Sequence, residues 1–281
     1  MEWGGDVSAE VVRLGGATLM GTALAFSLIG EGRFKPNRVA LAGALLLFAG
    51  SSALLLATVA PFAQRSGEPL LALALEYLER TRHGPRLMAP LLPAAFALVL
   101  FEVIRDTRVA MARRMIHGML AVTLFAVPAL MAAGGHTATG GWEHLGMIAQ
   151  MVHMACGMGW VALVLSLVPG MMRGEPLADI LGRAGNYAAG LVVVLILTGV
   201  FTAWVHGASL PWPLQEAYGR LLWLKAVVLV LALTAAGVNR IALRRVVRPN
   251  EVLLRRMLGF EAALLLAALS LAAWLVRTPP P

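Results

Sequence analysis

Five side chains able to hold a soft metal ion recur at His144, Met147, Met151, Met154 and Met158, in steps of 3, 4, 3 and 4 residues. At about 100° per residue, this spacing confines all five to one stripe roughly 80° wide on a helix. Thioether and imidazole donors on one face suit a soft monovalent ion such as Cu(I). The alternative is packing, because Met is a flexible filler of apolar interfaces. His153, Cys156 and Trp160 fall on roughly the opposite face of the same helix. A His and a Cys three residues apart could share one soft metal, whereas most free cysteines are simply small buried hydrophobes. A helix with ligand types on both faces is expected at the centre of a bundle.

The elements that position these residues follow from composition. The chain has 281 residues, 59% of them hydrophobic and 14% charged, with a mean hydropathy of +0.78. Apolar runs of 18 or more residues recur along its whole length, the signature of a polytopic all-α membrane bundle. Spans are expected at about 11–29, 39–61, 87–104, 112–133, 143–169, 184–206, 220–239 and 256–276, each near the length that crosses ~30 Å of hydrocarbon. Glu2, Asp6 and Glu10 precede the first run. A signal peptide begins basic, so this run reads as a retained span. The segment 69–80 is too short to cross and carries Glu76, Glu79 and Arg80 at its end, which fits a helix lying in the interface or packed on the bundle. With a single cysteine, Cys156, no intramolecular disulfide can form.

The net charge is +8 and the pI about 10.9, yet the basic residues sit in short loops between spans. Membrane topology explains them better than nucleic acid does. One set of loops holds Arg33, Lys35, Arg38, Arg105, Arg108, Arg113, Arg114, Arg173, Arg183, Arg240, Arg244, Arg245, Arg248, Arg255 and Arg256. The opposite side holds about half as many: Arg13, Arg65, Arg80, Arg82, Arg86, Arg220, Lys225 and Arg277. The positive-inside rule places the first set in the cytoplasm and both termini in the periplasm.

On that topology His83, His136, His144 and His206 lie at the outer mouth, and His117 and His153 lie within the bilayer. His153 is about ten residues into the fifth span, ~15 Å deep by helical rise. Met111, Met115 and Met119 line one face of the fourth span, and Met171 and Met172 follow the fifth. Together the thioethers suggest a run of weak neutral sites from the outer mouth to the inner exit, the condition for passage rather than storage. Glu261 in the last span stands near the level of Asn239 and Arg240 at the end of the seventh. A Glu261–Arg240 pair anchoring two helices is expected there, with proton coupling as the functional alternative. Gly157, Gly159, Gly185 and Gly190 are expected to permit close helix contacts.

The C-terminal half resembles the copper resistance protein D (CopD) family. The resemblance rests on Gly135-His136, then His153 with Trp160 seven residues later, then Tyr218-Gly219-Arg220-Leu221-Leu222-Trp223-Leu224-Lys225, then Asn239-Arg240, and finally Leu254-Arg255-Arg256 followed by Glu261. It covers about residues 134–276 and divides the chain into 1–133, a four-span half with the extra helix, and 134–281. It departs from the family's pattern at Ala162-Leu163, at Arg183-Ala184-Gly185 and at Glu216-Ala217. The resemblance implies an eight-span protein of the bacterial inner membrane that takes part in copper uptake or handling. It also implies a periplasmic copper carrier of the CopC type, here a separate chain.

The leading functional expectation is therefore copper transport across the inner membrane. His136, His144 and His206 would receive the ion, and Met147, Met151, Met154 and Met158 would pass it inward. His153 and Cys156 would form another mid-membrane site. Trp160, Tyr218, Arg220, Lys225, Asn239, Arg240 and Glu261 would serve structure or coupling. A b-type haem protein ligated by His117 and His153 is the second reading, and a non-transporting partner that delivers copper to another protein is the third. No nucleotide-binding motif, Ser/His/Asp arrangement or catalytic carboxylate pair is seen, so an enzyme is not expected.

Overall fold

The computed structural model describes residues 3–29, 35–133, 143–173, 178–205, 217–245 and 251–278. His136 and His206 lie outside them. The described residues form helices α1 (Trp3–Ile29), α2 (Pro36–Ser66), α3 (Leu70–Arg80), α4 (His83–Met88), α5 (Leu91–Asp106), α6 (Ala110–Ala133), α7 (Glu143–Met172), α8 (Ala178–Val205), α9 (Ala217–Arg245) and α10 (Glu251–Arg277), with no strand among them. Eight segments are long and apolar enough to cross a bilayer, α4 and α5 together making one of them. The protein is an all-α, multi-pass membrane protein, with spans where the hydropathy pattern expects them.

Local sequence explains the ends. Pro36 opens α2, where a missing N–H costs nothing, and Gly67 closes it at φ 72, donating its N–H to the Ala63 carbonyl. Ser and Thr hydroxyls inside the spans are satisfied by back-bonding, as in Thr18 to the Leu14 carbonyl and Thr22 to the Thr18 carbonyl. The segment expected near 69–80 is the helix α3. Its Ala74 packs with Leu55 and Val59 of α2, while Leu71 and Leu75 face outward.

Two hydrophobic clusters organise the bundle. The first joins α1, α2, α5 and α6 and takes in Met158 of α7 and Ala273 of α10. The second joins α7, α8, α9 and α10 around Trp160, Leu195, Ala232 and Leu258. α7 belongs to both and packs against α1, α6, α8 and α10, the central position expected for it. α1 and α2 approach very closely. A Cβ on Gly16 would stand 2.4 Å from the Leu47 nitrogen, and one on Gly50 would stand 2.6 Å from the Arg13 nitrogen, so small residues set this crossing. α8 leans chiefly on α7 and α9 on α10, and α8 and α9 meet only sparingly. Half of the α7 span is buried, against 11% of α8 and of α9. The outer faces carry Leu45, Leu92, Val122, Leu197 and Val230 in exposed positions, as suits surfaces that meet lipid.

Candidate functional site

The two faces of α7 look into different halves of the bundle. Met154 packs against the first cluster and Met158, 5% exposed, is part of it. Met147 and Met151, further towards the start of the helix, are half-buried, and His144 is exposed. On the other side Cys156 and Trp160 are buried in the second cluster. The later half of the thioether stripe, Met154 and Met158, is thus close-packed against apolar neighbours. The other thioethers do not extend a path: Met111, Met115 and Met119 of α6 are 66%, 62% and 46% exposed and point out of the bundle, as does Met172. Helical spacing puts those α6 residues on one face, but spacing alone does not say whether that face looks inward.

His153 is held by α8. Its Nδ1 lies 3.0 Å from the Leu195 carbonyl and 3.2 Å from the Thr198 hydroxyl. A carbonyl can only accept, so Nδ1 carries the proton and Nε2 keeps its lone pair. The ring fits because residue 199 is Gly: a Cβ there would stand 3.0 Å from the His153 Cε1. Gly157 and Gly159 likewise face Leu195 and Leu191 of α8, as expected of them, whereas Gly185 and Gly190 have nothing among the described residues within 4 Å of a Cβ position. Lys225 of α9, half-buried, is close enough to act on His153 electrostatically. His117 faces elsewhere, with its Nε2 2.8 Å from the Ser27 hydroxyl of α1. The two intramembrane histidines address different helices, α1 and α8, and do not form the facing pair that one haem iron would need.

About two turns along α7 from His153, ~10.5 Å by helical rise, a second polar group is buried. The Trp160 Nε1–H, with its ring 1% exposed, donates to Glu261 Oε1 at 3.1 Å. The expected Glu261–Arg240 pair does not form. Arg240 instead donates to the Gly185 carbonyl at 3.0 Å and to the Asn186 Oδ1 at 3.2 Å, tying α9 to α8. The reason is direction: the carboxyl turns into the bundle towards α7, while the guanidinium reaches across to the first turns of α8. Proximity in level along two helices was legible in the sequence; the partner each side chain faces was not. Asn239, 4% exposed, lies against the Glu261 carboxyl. Trp160, Glu261, Asn239, Arg240 and Asn186 all line one cavity of about 260 Å³ among α7, α8, α9 and α10. Tyr218 is half-buried and Arg220 exposed near the start of α9, the end away from Asn239. Among the described residues no three His, Cys, Asp or Glu side chains come together as a metal-holding group.

Sequence reasoning did not single out Thr198, Gly199 or Asn186. Gly199 and Thr198 sit one turn from Leu195 on the α8 face that receives His153; their only signal is a polar and a small residue in an otherwise apolar span.

Apolar exterior, eight crossing-length helices and buried polar groups on the central and C-terminal helices define a polytopic helical membrane protein. Residues 178–275, about a third of the chain, match the family described as Copper resistance protein D. The match begins at α8, later than the expected 134, so His153 and Trp160 of α7 precede it. No curated protein and no solved structure matches the chain.

Proposed function

We propose that the protein passes copper through the bacterial inner membrane, from periplasm to cytoplasm, with Cu(I) as the transported ion. The match of residues 178–275 to the copper resistance protein D family supports copper resistance or handling as the general role. The observation that carries the transport reading is the setting of His153. Donation from Nδ1 to a backbone carbonyl fixes the ring and its tautomer, the arrangement typical of a metal-binding histidine, and leaves Nε2 as a ligand inside a crossing helix. When Lys225 is protonated, its charge would weaken the hold on a cation there, which suits passage over storage. Met147 and Met151, half-buried towards the start of α7, would deliver the ion from His144 and from His136 and His206 at the outer mouth. A separate periplasmic carrier of the CopC type would supply it.

The test is copper accumulation in cells expressing the protein, together with Cu(I) binding by the purified protein. His153→Leu and the combined Met147→Leu, Met151→Leu variant are expected to lower both. Wild-type accumulation in both variants would refute the reading. An optical spectrum of the same preparation checks the redox alternative, since a haem protein shows a Soret band and a copper carrier does not.

A further inference from the structure

We propose that the cavity among α7, α8, α9 and α10 binds the ring headgroup of a lipid-soluble carbonyl compound of the quinone class. At its polar end Trp160, Asn239 and Glu261 are deeply buried, while Arg240 is half-buried and Asn186 exposed. Asn239 is 4% exposed; its amide lies against the Glu261 carboxyl, yet neither amide atom closes a hydrogen bond of normal length among the described residues. An unmatched buried amide is costly, so one that lines a cavity points to a guest that completes it. The charged groups on the wall are already engaged, Glu261 by Trp160 and Arg240 by Gly185 and Asn186. The guest is therefore neutral. An amide offers N–H donors to a carbonyl and an oxygen to a hydroxyl, so Asn239 can serve a quinone and its quinol equally.

Size and access narrow the class further. About 260 Å³ is far more than the ~30 Å³ share of one water and a little under the ~300 Å³ at which pockets for drug-sized ligands begin. One or two rings fit, and a whole lipid does not. The rest of the wall is apolar, with Leu163, Val192 and Leu233 among its residues. α8 and α9 meet only sparingly over it, so a guest can arrive sideways from the hydrocarbon if it dissolves there. Copper is a poor occupant: among the described residues no thioether, thiol or imidazole lines the cavity, and amide and carboxylate oxygens are hard donors. The site is thus separate from the His153 setting, and it does not depend on the transport reading.

The experiment is equilibrium dialysis of menadione, a two-ring quinone, against the full chain in lipid nanodiscs. Saturable binding near one per protein is expected. Asn239→Leu is expected to weaken it about tenfold, the worth of one buried hydrogen bond, and Ala188→Phe, which fills the cavity, to abolish it. Exposure of the Cys156 thiol on unfolding reports whether each variant is folded, and Ala236→Phe replaces Ala188→Phe if that variant is not. Cu(I) binding is expected to survive in the cavity variants, so failure of this proposal and failure of the copper reading are told apart. Non-saturable uptake by wild type, or folded cavity variants that bind like wild type, would overturn the proposal.

Discussion

The Trp160–Glu261 hydrogen bond ties α7 to α10 where neither partner can turn to water, since the residues are 1% and 5% exposed. Trp160→Phe keeps most of the ring and removes the donor, leaving a buried carboxyl without it. Glu261→Leu removes the acceptor and leaves the indole N–H alone. Each single change is expected to cost about 2–3 kcal/mol, the penalty for an unmatched buried polar group bonded to an ionisable partner. The double variant removes both halves together, which is much closer to neutral than the sum. The expected coupling energy is therefore about 1.5–3 kcal/mol, or about ten- to hundredfold in the unfolding equilibrium. The protein carries its own reporter. Cys156 is the single cysteine, 8% exposed, in the same cluster as Trp160. Labelling by a thiol-reactive dye across a series of mixed micelles of rising SDS content measures unfolding of that cluster without an added probe. If the two single effects add within about 0.5 kcal/mol, the bond does not hold these helices together and the polar end of the cavity has been misread.

Other expectations use the same readout or copper uptake. Gly199→Ala puts a Cβ 3.0 Å from the His153 Cε1. It is expected to displace the ring, to destabilise the protein by about 1–3 kcal/mol and to weaken Cu(I) binding; an unchanged affinity would separate the α8 contact from copper. Gly16→Ala brings a Cβ to 2.4 Å from the Leu47 nitrogen, whereas Gly15→Ala meets nothing within 4 Å. The first is expected to lower the unfolding free energy by about 1–3 kcal/mol and the second to leave it unchanged, so similar values would contradict the close α1–α2 crossing. Met111→Leu, Met115→Leu and Met119→Leu together change only outward-facing side chains and are expected to leave copper accumulation at the wild-type level. A drop would show that the thioether face of α6 takes part after all.

How much the sequence reveals depends on the range of the physics involved. Spans are legible because crossing ~30 Å of hydrocarbon demands some 20 apolar residues in a row. The centrality of α7 is legible too, because ligand types and small residues occur on two opposite faces and a helix at the rim has only one inward face. Neither logic fixes what a face looks at. Met111, Met115 and Met119 keep the same helical spacing as a lining stripe, yet lipid solvates a thioether as readily as a bundle interior does, so period alone cannot orient α6. Glu261 and Arg240 share a level and have opposite charges, but charge attraction was outweighed by local geometry: a carbonyl and an amide at the start of α8 lie within reach of the guanidinium, and the indole N–H of α7 lies within reach of the carboxyl.

That rearrangement has a consequence for how the C-terminal half works. Had Glu261 and Arg240 paired, α9 and α10 would be clamped to each other, and neither the Trp160 bond to α10 nor the Arg240 bonds to α8 would form as they do. With the two charges parted, α10 is bound to α7 and α9 to α8, so the links cross between helices that otherwise pack as the pairs α7–α8 and α9–α10. Among the described residues α8 and α9 meet only sparingly, and the Arg240 bonds to Gly185 and Asn186 lie at one end of their seam. Weakly packed elements open at lower free energy than well-packed ones. α1 and α7 form the deeply buried part of the bundle, and α8 and α9 the part with the least burial. Arg240→Leu removes both bonds to α8 while leaving the apolar clusters intact. Its effect should therefore be local: faster amide hydrogen exchange in the first turns of α8 and the last turns of α9, with α1 and α7 unchanged. Exchange that rises equally in all four helices would mean that the seam does not open on its own.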